Sequence, residues 1–193
     1  MTHTRHPNAL AALCIIRNKP EGHPRSAISS LAIFTVTRRG RREADCQLEH
    51  RFFDHTDTRA EILDGVIQRI PPSAELLIRQ AGPAPHTMGH PSGSQSQPIP
   101  PTDTQILARA LAGSTILAIH VGDRELTEAG ASLGFDMPGP DSTPIRWRRR
   151  APLHAQALWA LYTAAFCPPF EGRALFSAHL AWCAIQRARY FAH

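Results

Sequence analysis

Residues 26–78 constrain the fold of this chain most strongly, because they follow the pattern of a strand, a tight turn, a strand, a helix and another strand. Residues 28–37 are rich in β-branched side chains and predict the first strand. Residues 43–53 alternate between apolar and polar side chains, which predicts a half-buried second strand. The turn between them, Arg-Arg-Gly-Arg at residues 38–41, is short, so the two strands are expected to form an antiparallel hairpin.

A helix and a further strand follow the hairpin. Thr58 and Glu61 have the spacing of a capping box, in which each side chain bonds the backbone N–H of the other residue. Apolar residues then recur at helical spacing until the proline pair at residues 71–72, which ends the helix. Residues 74–78 form a short apolar strand, and residues 9–16, ahead of the hairpin, form an apolar run that predicts a central buried strand.

The second half of the chain is mainly helical after one irregular segment. Residues 82–101 are rich in Gly, Pro, Ser and Gln and predict a flexible loop within the domain. Capping residues and apolar periodicity predict the remaining elements. These are a helix over residues 102–113, a strand over 115–121, a helix that Asp123 can cap and that ends at Gly134, and helices over 153–166 and 172–191. The inward face of the last helix is expected to include Leu175, His179 and Leu180.

A chain of 193 residues is long enough for one buried core and short for two, so we expect a single domain over residues 1–193. Strands that alternate with helices predict an α/β fold with a mixed sheet of about five strands and helices on both faces. No apolar run is long enough to span a bilayer, and no signal-peptide pattern is present. We therefore expect a cytoplasmic protein without a membrane partner.

The sequence contains no recognisable cofactor or nucleophile motif. It has neither a phosphate-binding Gly-x-x-x-x-Gly-Lys loop nor a Gly-x-Ser-x-Gly elbow. The four cysteines, at positions 14, 46, 167 and 183, form no CxxC pair and match no zinc spacing. They are expected to be buried free thiols, and no metal or cofactor is predicted.

The net charge of +5 comes almost entirely from arginine, because Lys19 is the only lysine. Such a chain can bind phosphate, although a modest basic excess is also common on solvated surfaces. Arginines crowd the hairpin turn and flank Trp147, whose indole can stack on a base or simply anchor its own loop. The candidate nucleic-acid-binding residues are Arg17, Lys19, Arg38, Arg39, Arg41, Arg146, Trp147, Arg148, Arg149 and Arg150.

Three segments resemble the DnaQ-like (DEDD) 3′–5′ exonucleases, and the match covers most of the chain. Residues 26–36, Ser-Ala-Ile-Ser-Ser-Leu-Ala-Ile-Phe-Thr-Val, are similar to the second strand of that family. Residues 57–78 resemble the helix and strand that follow its third strand, and residues 126–135 resemble the short helix before its last motif. The resemblance implies a ribonuclease-H-like fold and a site in which four acids hold two divalent metals.

The chain departs from the family pattern at each of these acids. The Asp-x-Glu that ends the family's first strand is matched by Arg17-Asn18-Lys19, whose cations repel a metal. No acid follows the strand at residues 74–78 until Asp103. The family's last motif places a histidine five residues before an aspartate. The two histidines that match it are His154, followed at that distance by Trp159, and His179, followed by Ala184.

Three functional hypotheses follow from the resemblance and its departures. The first is a non-catalytic, exonuclease-like protein that binds DNA, RNA or nucleotides through arginine-rich surfaces. The second is a protein-interaction or assembly module on the same fold, such as a homodimer. The third is a divergent 3′–5′ exonuclease that uses Mg²⁺ or Mn²⁺ and acids placed elsewhere. We expect the first, with no catalytic residues.

Overall fold

The computed structural model describes residues 8–17, 28–40, 43–53, 58–80, 115–137 and 149–191. The loop predicted over residues 82–101 and the helix predicted over 102–113 lie outside these ranges. The described elements, in chain order, are β1 (Ala9–Arg17), β2 (Ile28–Arg38), β3 (Ala44–Phe52), α1 (Arg59–Ile67), β4 (Ala74–Gln80), β5 (Ile116–His120), α2 (Asp123–Ser132), α3 (Arg150–Phe166) and α4 (Pro169–Phe191).

The strands form one five-stranded sheet in the order β3-β2-β1-β4-β5. β2 pairs antiparallel with β1 and with β3, which confirms the predicted hairpin. β1 pairs parallel with β4, and β4 pairs parallel with β5. The apolar run at the start of the chain therefore forms the central strand, as predicted, and the α/β class with a mixed sheet is confirmed.

Helices cover both faces of the sheet because successive residues of β1 point to opposite sides. Leu10 and Ala12 belong to the core beneath α2, α3 and α4, where Phe34 meets Trp159 edge to face with ring centroids 5.5 Å apart. Ala11, on the other face, belongs to the core that α1 covers. The capping box predicted at the start of α1 is present, and it fixes where that helix begins.

Three helix starts differ from the sequence prediction. α2 begins after Gly122 as its N-cap, whereas Asp123 had been expected to cap it. α3 begins at Arg150, so Pro152 lies inside its first turn, and α4 begins at Pro169. A proline is accepted in the first turn because the backbone N–H groups there have no intrahelical partner. Pro152 and Pro169, which the predicted helix ranges leave outside, thus lie in the first turns of α3 and α4.

Two burial predictions are wrong. Leu180 had been placed on the buried face of α4, but its side chain is 55% exposed. The inward face of α4 runs through Leu175, His179 and Trp182, and Leu180 is turned about 100° away from His179. The four cysteines are free, as expected, but they are half-buried where burial had been predicted. Within the described ranges, no helix combines the length and the apolar character needed to cross a bilayer.

The contact between Trp159 and the sheet predicts a large stability effect. Trp159→Ala removes a fully buried indole and is expected to lower the free energy of unfolding by about 3–5 kcal/mol. Urea denaturation followed by circular dichroism measures this loss. Ile185→Ala, at an exposed position of α4, is the control and is expected to change stability by less than about 0.5 kcal/mol. Equal losses in the two variants would contradict the assigned core.

Candidate functional site

Charged and polar side chains from four elements meet where the parallel strands end. Arg79 lies near the end of β4, and Asp123 begins α2 directly after β5. Arg150 and His154 lie on the first two turns of α3, and Cys14 lies on β1. The charges of both arginines and of Asp123 act on the Cys14 thiol and on the His154 ring, so the five side chains lie within electrostatic reach of one another. We call these five residues the carboxyl-edge cluster.

Arg79 links β4 to the segment that follows β5. Its Nε donates to the carbonyl oxygen of Val121 at 2.8 Å, and its Nη1 donates to Asp123 Oδ1 at 2.7 Å. Arg79 reaches this position because its side chain projects on the same face of β4 as Leu77. The two bonds fix the plane of the guanidinium group, and the side chain remains partly accessible.

Arg150 is a buried cation, with only 7% of the residue exposed. Its Nε donates to His154 Nε2 at 3.3 Å, so Nε2 accepts and the ring proton lies on Nδ1. Burial, together with the charges of Arg150 and Arg79, lowers the pKa of His154 to about 4. His154 is therefore neutral at pH 7, and the positive charge of the cluster resides on its two arginines.

The other two titratable members, Cys14 and Asp123, are held in opposite protonation states: the thiol is protonated and the carboxyl group is ionised. Burial raises the pKa of the Cys14 thiol to about 12, although Arg79 and Arg150 oppose this shift. Cys14 is thus a thiol at neutral pH and has no nucleophilic activation. Partial burial opposes ionisation of Asp123, but the hydrogen bond and charge of Arg79 hold its pKa below the ordinary value. Two guanidinium groups and one carboxylate give the cluster a net positive charge.

Two helix N-termini lie at the cluster; that of α3 adds positive potential, whereas that of α2 is offset by Asp123 and by Glu125, which caps it. α2 and α3 begin at Asp123 and Arg150, which are both members of the cluster. The first-turn N–H groups of a helix carry partial positive charge and bind anions. The N-cap of α3, Arg149, makes no side-chain cap bond. The cluster also lies where the strand order reverses between β1 and β4, which is where open α/β sheets bind ligands.

The predicted nucleic-acid-binding residues divide between the two ends of the sheet. Arg17 ends β1, and Arg149 and Arg150 begin α3, so all three belong to the carboxyl edge. Arg38 ends β2 and Arg39 follows it, so both lie at the opposite end, because β2 runs antiparallel to β1. The remaining candidates lie outside the described residues: Lys19, Arg41, Arg146, Trp147 and Arg148.

Both described hairpin arginines pair with carboxylates. Arg38 Nη1 donates to Glu171 Oε2 at 2.8 Å and links β2 to the start of α4. Arg39 Nε lies 2.5 Å from Asp45 Oδ2 in an exposed pair. The first contact joins a helix to the sheet, and the second is typical of a charged hairpin tip.

The two histidines that match the last exonuclease motif occupy different surroundings. His154 belongs to the carboxyl-edge cluster, whereas His179 is fully buried in the core. His179 Nε2 lies 2.9 Å from Gln156 Oε1, and burial lowers the pKa of His179 to about 4. Trp159, which the predicted resemblance would match to the aspartate of that motif, packs against Phe34 in the same core. Only His154 therefore lies at the edge where the resemblance would place a substrate.

Sequence reasoning missed Arg79 and Asp123. Arg79 had been noted only as the place of a missing acid, and Asp123 as a helix cap and as one of the acids left for a divergent nuclease site. The available signal was that each follows an apolar strand, because the carboxyl ends of parallel strands lie at one edge of a sheet. Using that signal required knowing that β4 and β5 are parallel neighbours.

Comparisons of the chain with family models, curated proteins and solved structures gave no match. Among the residues that the structure describes, no three His, Cys, Asp or Glu side chains are grouped as ligands for a metal ion. The function is therefore inferred from the geometry and charge of the carboxyl-edge cluster.

His154 predicts a pH dependence of stability. Its folded-state pKa of about 4 lies below the ordinary 6.5, so between these values the unfolded chain binds more protons and stability falls on acidification. Between pH 7 and pH 5 this residue alone is expected to cost about 2 kcal/mol. His154→Gln, which keeps an acceptor for Arg150, should lose this part of the pH dependence in urea denaturation. His120→Gln, at an exposed position, should retain it. Identical pH profiles for wild type and His154→Gln would contradict the assignment.

Proposed function

We propose that this chain binds the phosphate groups of nucleic acid or nucleotides at the carboxyl edge of its sheet and does not cleave them. The proposal is carried by the convergence of Arg79 and Arg150 with the N-termini of α2 and α3. An oxyanion placed there meets two guanidinium groups and the first-turn N–H groups of α3, whereas the start of α2 already holds the carboxylates of Asp123 and Glu125.

The geometry of each group suits a phosphate oxyanion. A guanidinium has five N–H donors, so the two bonds from Arg79 to Val121 and Asp123 orient it and leave donors for a ligand. Arg150 is held by His154 in a partly desolvated position, where a charge-assisted hydrogen bond is stronger than in water. His154 is neutral and has its proton on Nδ1, so the ring can donate a hydrogen bond to a ligand but adds no positive charge to the site.

The chain is further proposed to be a ribonuclease-H-like relative of the DnaQ-like exonucleases in which basic groups stand where the family has acids. The mixed sheet, its antiparallel hairpin and the helices on both faces support this proposal. The positions of Arg17 at the end of β1 and of His154 beside the cluster support it as well, because the family binds its substrate strand at the end of the first strand.

Arginine variants test the proposal by their effect on binding. Labelled single-stranded and duplex DNA and RNA are titrated at low and moderate salt, with and without Mg²⁺ or Mn²⁺, while strand length is monitored. Binding is expected to weaken with salt, because phosphate contacts release counterions. Arg79→Gln should weaken binding roughly tenfold, as expected for loss of a charged hydrogen bond. Arg39→Gln removes the same charge at the opposite end of the sheet and should have little effect.

Three outcomes would contradict the proposal, and each favours another hypothesis. A larger loss in Arg39→Gln than in Arg79→Gln would place binding at the hairpin. Metal-dependent shortening of the strands would favour the divergent exonuclease. A lack of binding together with a concentration-dependent mass would favour an assembly module, for which the exposed Phe170, Leu180 and Ile185 on α4 offer an apolar surface.

Replacement of Asp123 is expected to strengthen phosphate binding, whereas replacement of Arg79 is expected to weaken it. Its carboxylate holds Arg79 at 2.7 Å and therefore competes with phosphate for that guanidinium. Asp123→Asn keeps the size and an acceptor oxygen but removes the negative charge, so phosphate binding is expected to strengthen roughly fivefold. Asp45→Asn removes a carboxylate that is also paired with an arginine, but at the hairpin end. Equal strengthening in both variants would show only a general charge effect.

A further inference from the structure

β3 is an edge strand that carries none of the usual protections against pairing with a further strand. It lies at one end of the sheet and, among the described strands, pairs only with β2. Natural sheets protect their edges with short strands, prolines, lysines or bulges, because an open edge readily accepts another strand. β3 is nine residues long, contains neither proline nor lysine, and keeps an uninterrupted register with β2. Its outer side is therefore suited to a strand partner.

The backbone groups of alternate β3 residues point toward this open edge. At the two ends of the hairpin, Arg39 N–H donates to the carbonyl oxygen of Glu43 at 2.8 Å, and Phe53 N–H donates to that of Ser29 at 3.1 Å. In an antiparallel pair, residues that bond the neighbouring strand alternate with residues whose N–H and C=O groups point away from it. The odd-numbered residues thus bond β2, and the residues that point outward are Ala44, Cys46, Leu48, His50 and Phe52.

The charges of β3 are self-complementary about Leu48, the middle residue of the strand. When a second copy of β3 is aligned antiparallel with Leu48 opposite Leu48, each residue faces the residue that lies equally far beyond position 48. Asp45 then faces Arg51 of the second copy, and Arg51 faces its Asp45, so the interface contains this ion pair twice. Glu49 faces Gln47 of the second copy, whose amide group can donate to the carboxylate. Opposite charges placed directly across two strands stabilise their pairing.

Neighbouring registers lose this complementarity. The registers that keep both faces of the extended sheet continuous differ by moving the centre one residue at a time. With the centre at Gln47, Asp45 faces Glu49 of the second copy, and with the centre at Glu49, that carboxylate faces its own copy. Like charges directly opposite each other destabilise strand pairing. The register centred on Leu48 is also the one that pairs all nine residues of β3.

The two charged groups are accessible for such pairs. Asp45 is paired with Arg39, but 52% of its side chain is exposed, and a carboxylate can accept hydrogen bonds from two guanidinium groups. Arg51 is exposed, and its guanidinium lies 5.8 Å from the centre of the Phe53 ring. Within the described residues, no carboxylate forms an ion pair with Arg51. A second copy of β3 supplies that carboxylate.

We propose that β3 pairs antiparallel with β3 of a second copy of this chain, centred on Leu48, so that the two five-stranded sheets become one continuous sheet. A two-fold axis at Leu48 makes the interface isologous, with the same residues contributed by both copies. Phe52, which is 51% exposed, then lies opposite the small side chain of Ala44. The inference goes beyond the proposed function, because the interface includes no member of the carboxyl-edge cluster.

Reversal of the two charges tests both the interface and its register. Asp45→Arg and Arg51→Asp each turn the two attractive pairs into repulsive ones, and the double variant restores attraction in the opposite sense. Arg124→Asp and Glu128→Arg make the same charge changes in an exposed pair on α2 and serve as matched controls. Sedimentation velocity over a wide range of protein concentration measures the dissociation constant of the dimer. Urea denaturation checks that each variant is folded.

The wild-type mass is expected to rise from one chain to two as the concentration increases. Each single variant should weaken the dimer roughly tenfold, the double variant should return to within about threefold of wild type, and the two controls should match wild type. A wild-type mass of one chain at every concentration would overturn the proposal. So would a dimer that persists in both single variants, or one that the double variant does not restore.

Amide hydrogen exchange, resolved by residue, gives an independent readout of the same edge. The outward-pointing amides of Cys46 and Leu48 should exchange roughly tenfold more slowly when the dimer is populated. The amides of Gln47 and Glu49, which already bond β2, should change much less. Equal slowing of both sets would show that the copies associate without pairing their β3 strands, and would overturn the proposal. Phosphate binding at the carboxyl-edge cluster is tested separately by the Arg79 variant and does not depend on these outcomes.

Discussion

The packing of α3 on the two central strands determines where every other part of the candidate site lies. Trp159 is fully buried against Phe34, and Ala151 and Ala155 let the helix approach the sheet closely. A helix is rigid over its length, so anchoring its middle also fixes its first turn. Arg150 and His154 are thereby held over the end of β1, and Arg150 is buried with its Nε bonded to a neutral imidazole.

A second constraint comes from Arg79, which bridges β4 and the start of α2. Its bonds to Val121 and Asp123 bring the N-terminus of α2 to the same place as that of α3. In the exonucleases to which the chain is proposed to be related, acids hold metal ions that attract phosphate and activate water. Guanidinium groups also attract phosphate, but they do not generate a nucleophile. The proposed change of function follows from this difference in chemistry.

The fold was largely predictable because it depends on local patterns. The alternation in residues 43–53 and the Thr58–Glu61 capping box are each contained within a few residues, and both predicted features are present. Helix starts were less predictable, because Pro152 was taken to lie outside α3 although the first turn accepts proline. Leu180 was wrongly predicted to be buried, because helical periodicity does not distinguish an apolar residue beside the contact face from an apolar residue on that face.

The candidate site was only partly predictable because it depends on distant pairs. Arg150 was identified from its arginine-rich segment, but Arg79 and Asp123 are 44 residues apart and meet only through the order of the strands. Arg38 was assigned to nucleic acid without knowledge of Glu171, which lies 133 residues further along the chain. Charge can be counted from the sequence, whereas the partner of each charge is set by topology.

The most direct test of the central claim is to observe the arginine side chains during binding. Proton–nitrogen spectra of the Nε–H groups, assigned through single Arg→Gln variants, are recorded while a short single-stranded oligonucleotide is added. The account predicts that the Arg79 and Arg150 signals shift in proportion to the bound fraction, while the Arg39 signal does not move. Shifts at Arg38 and Arg39, with Arg79 and Arg150 unchanged, would contradict it and would place the ligand at the hairpin end of the sheet.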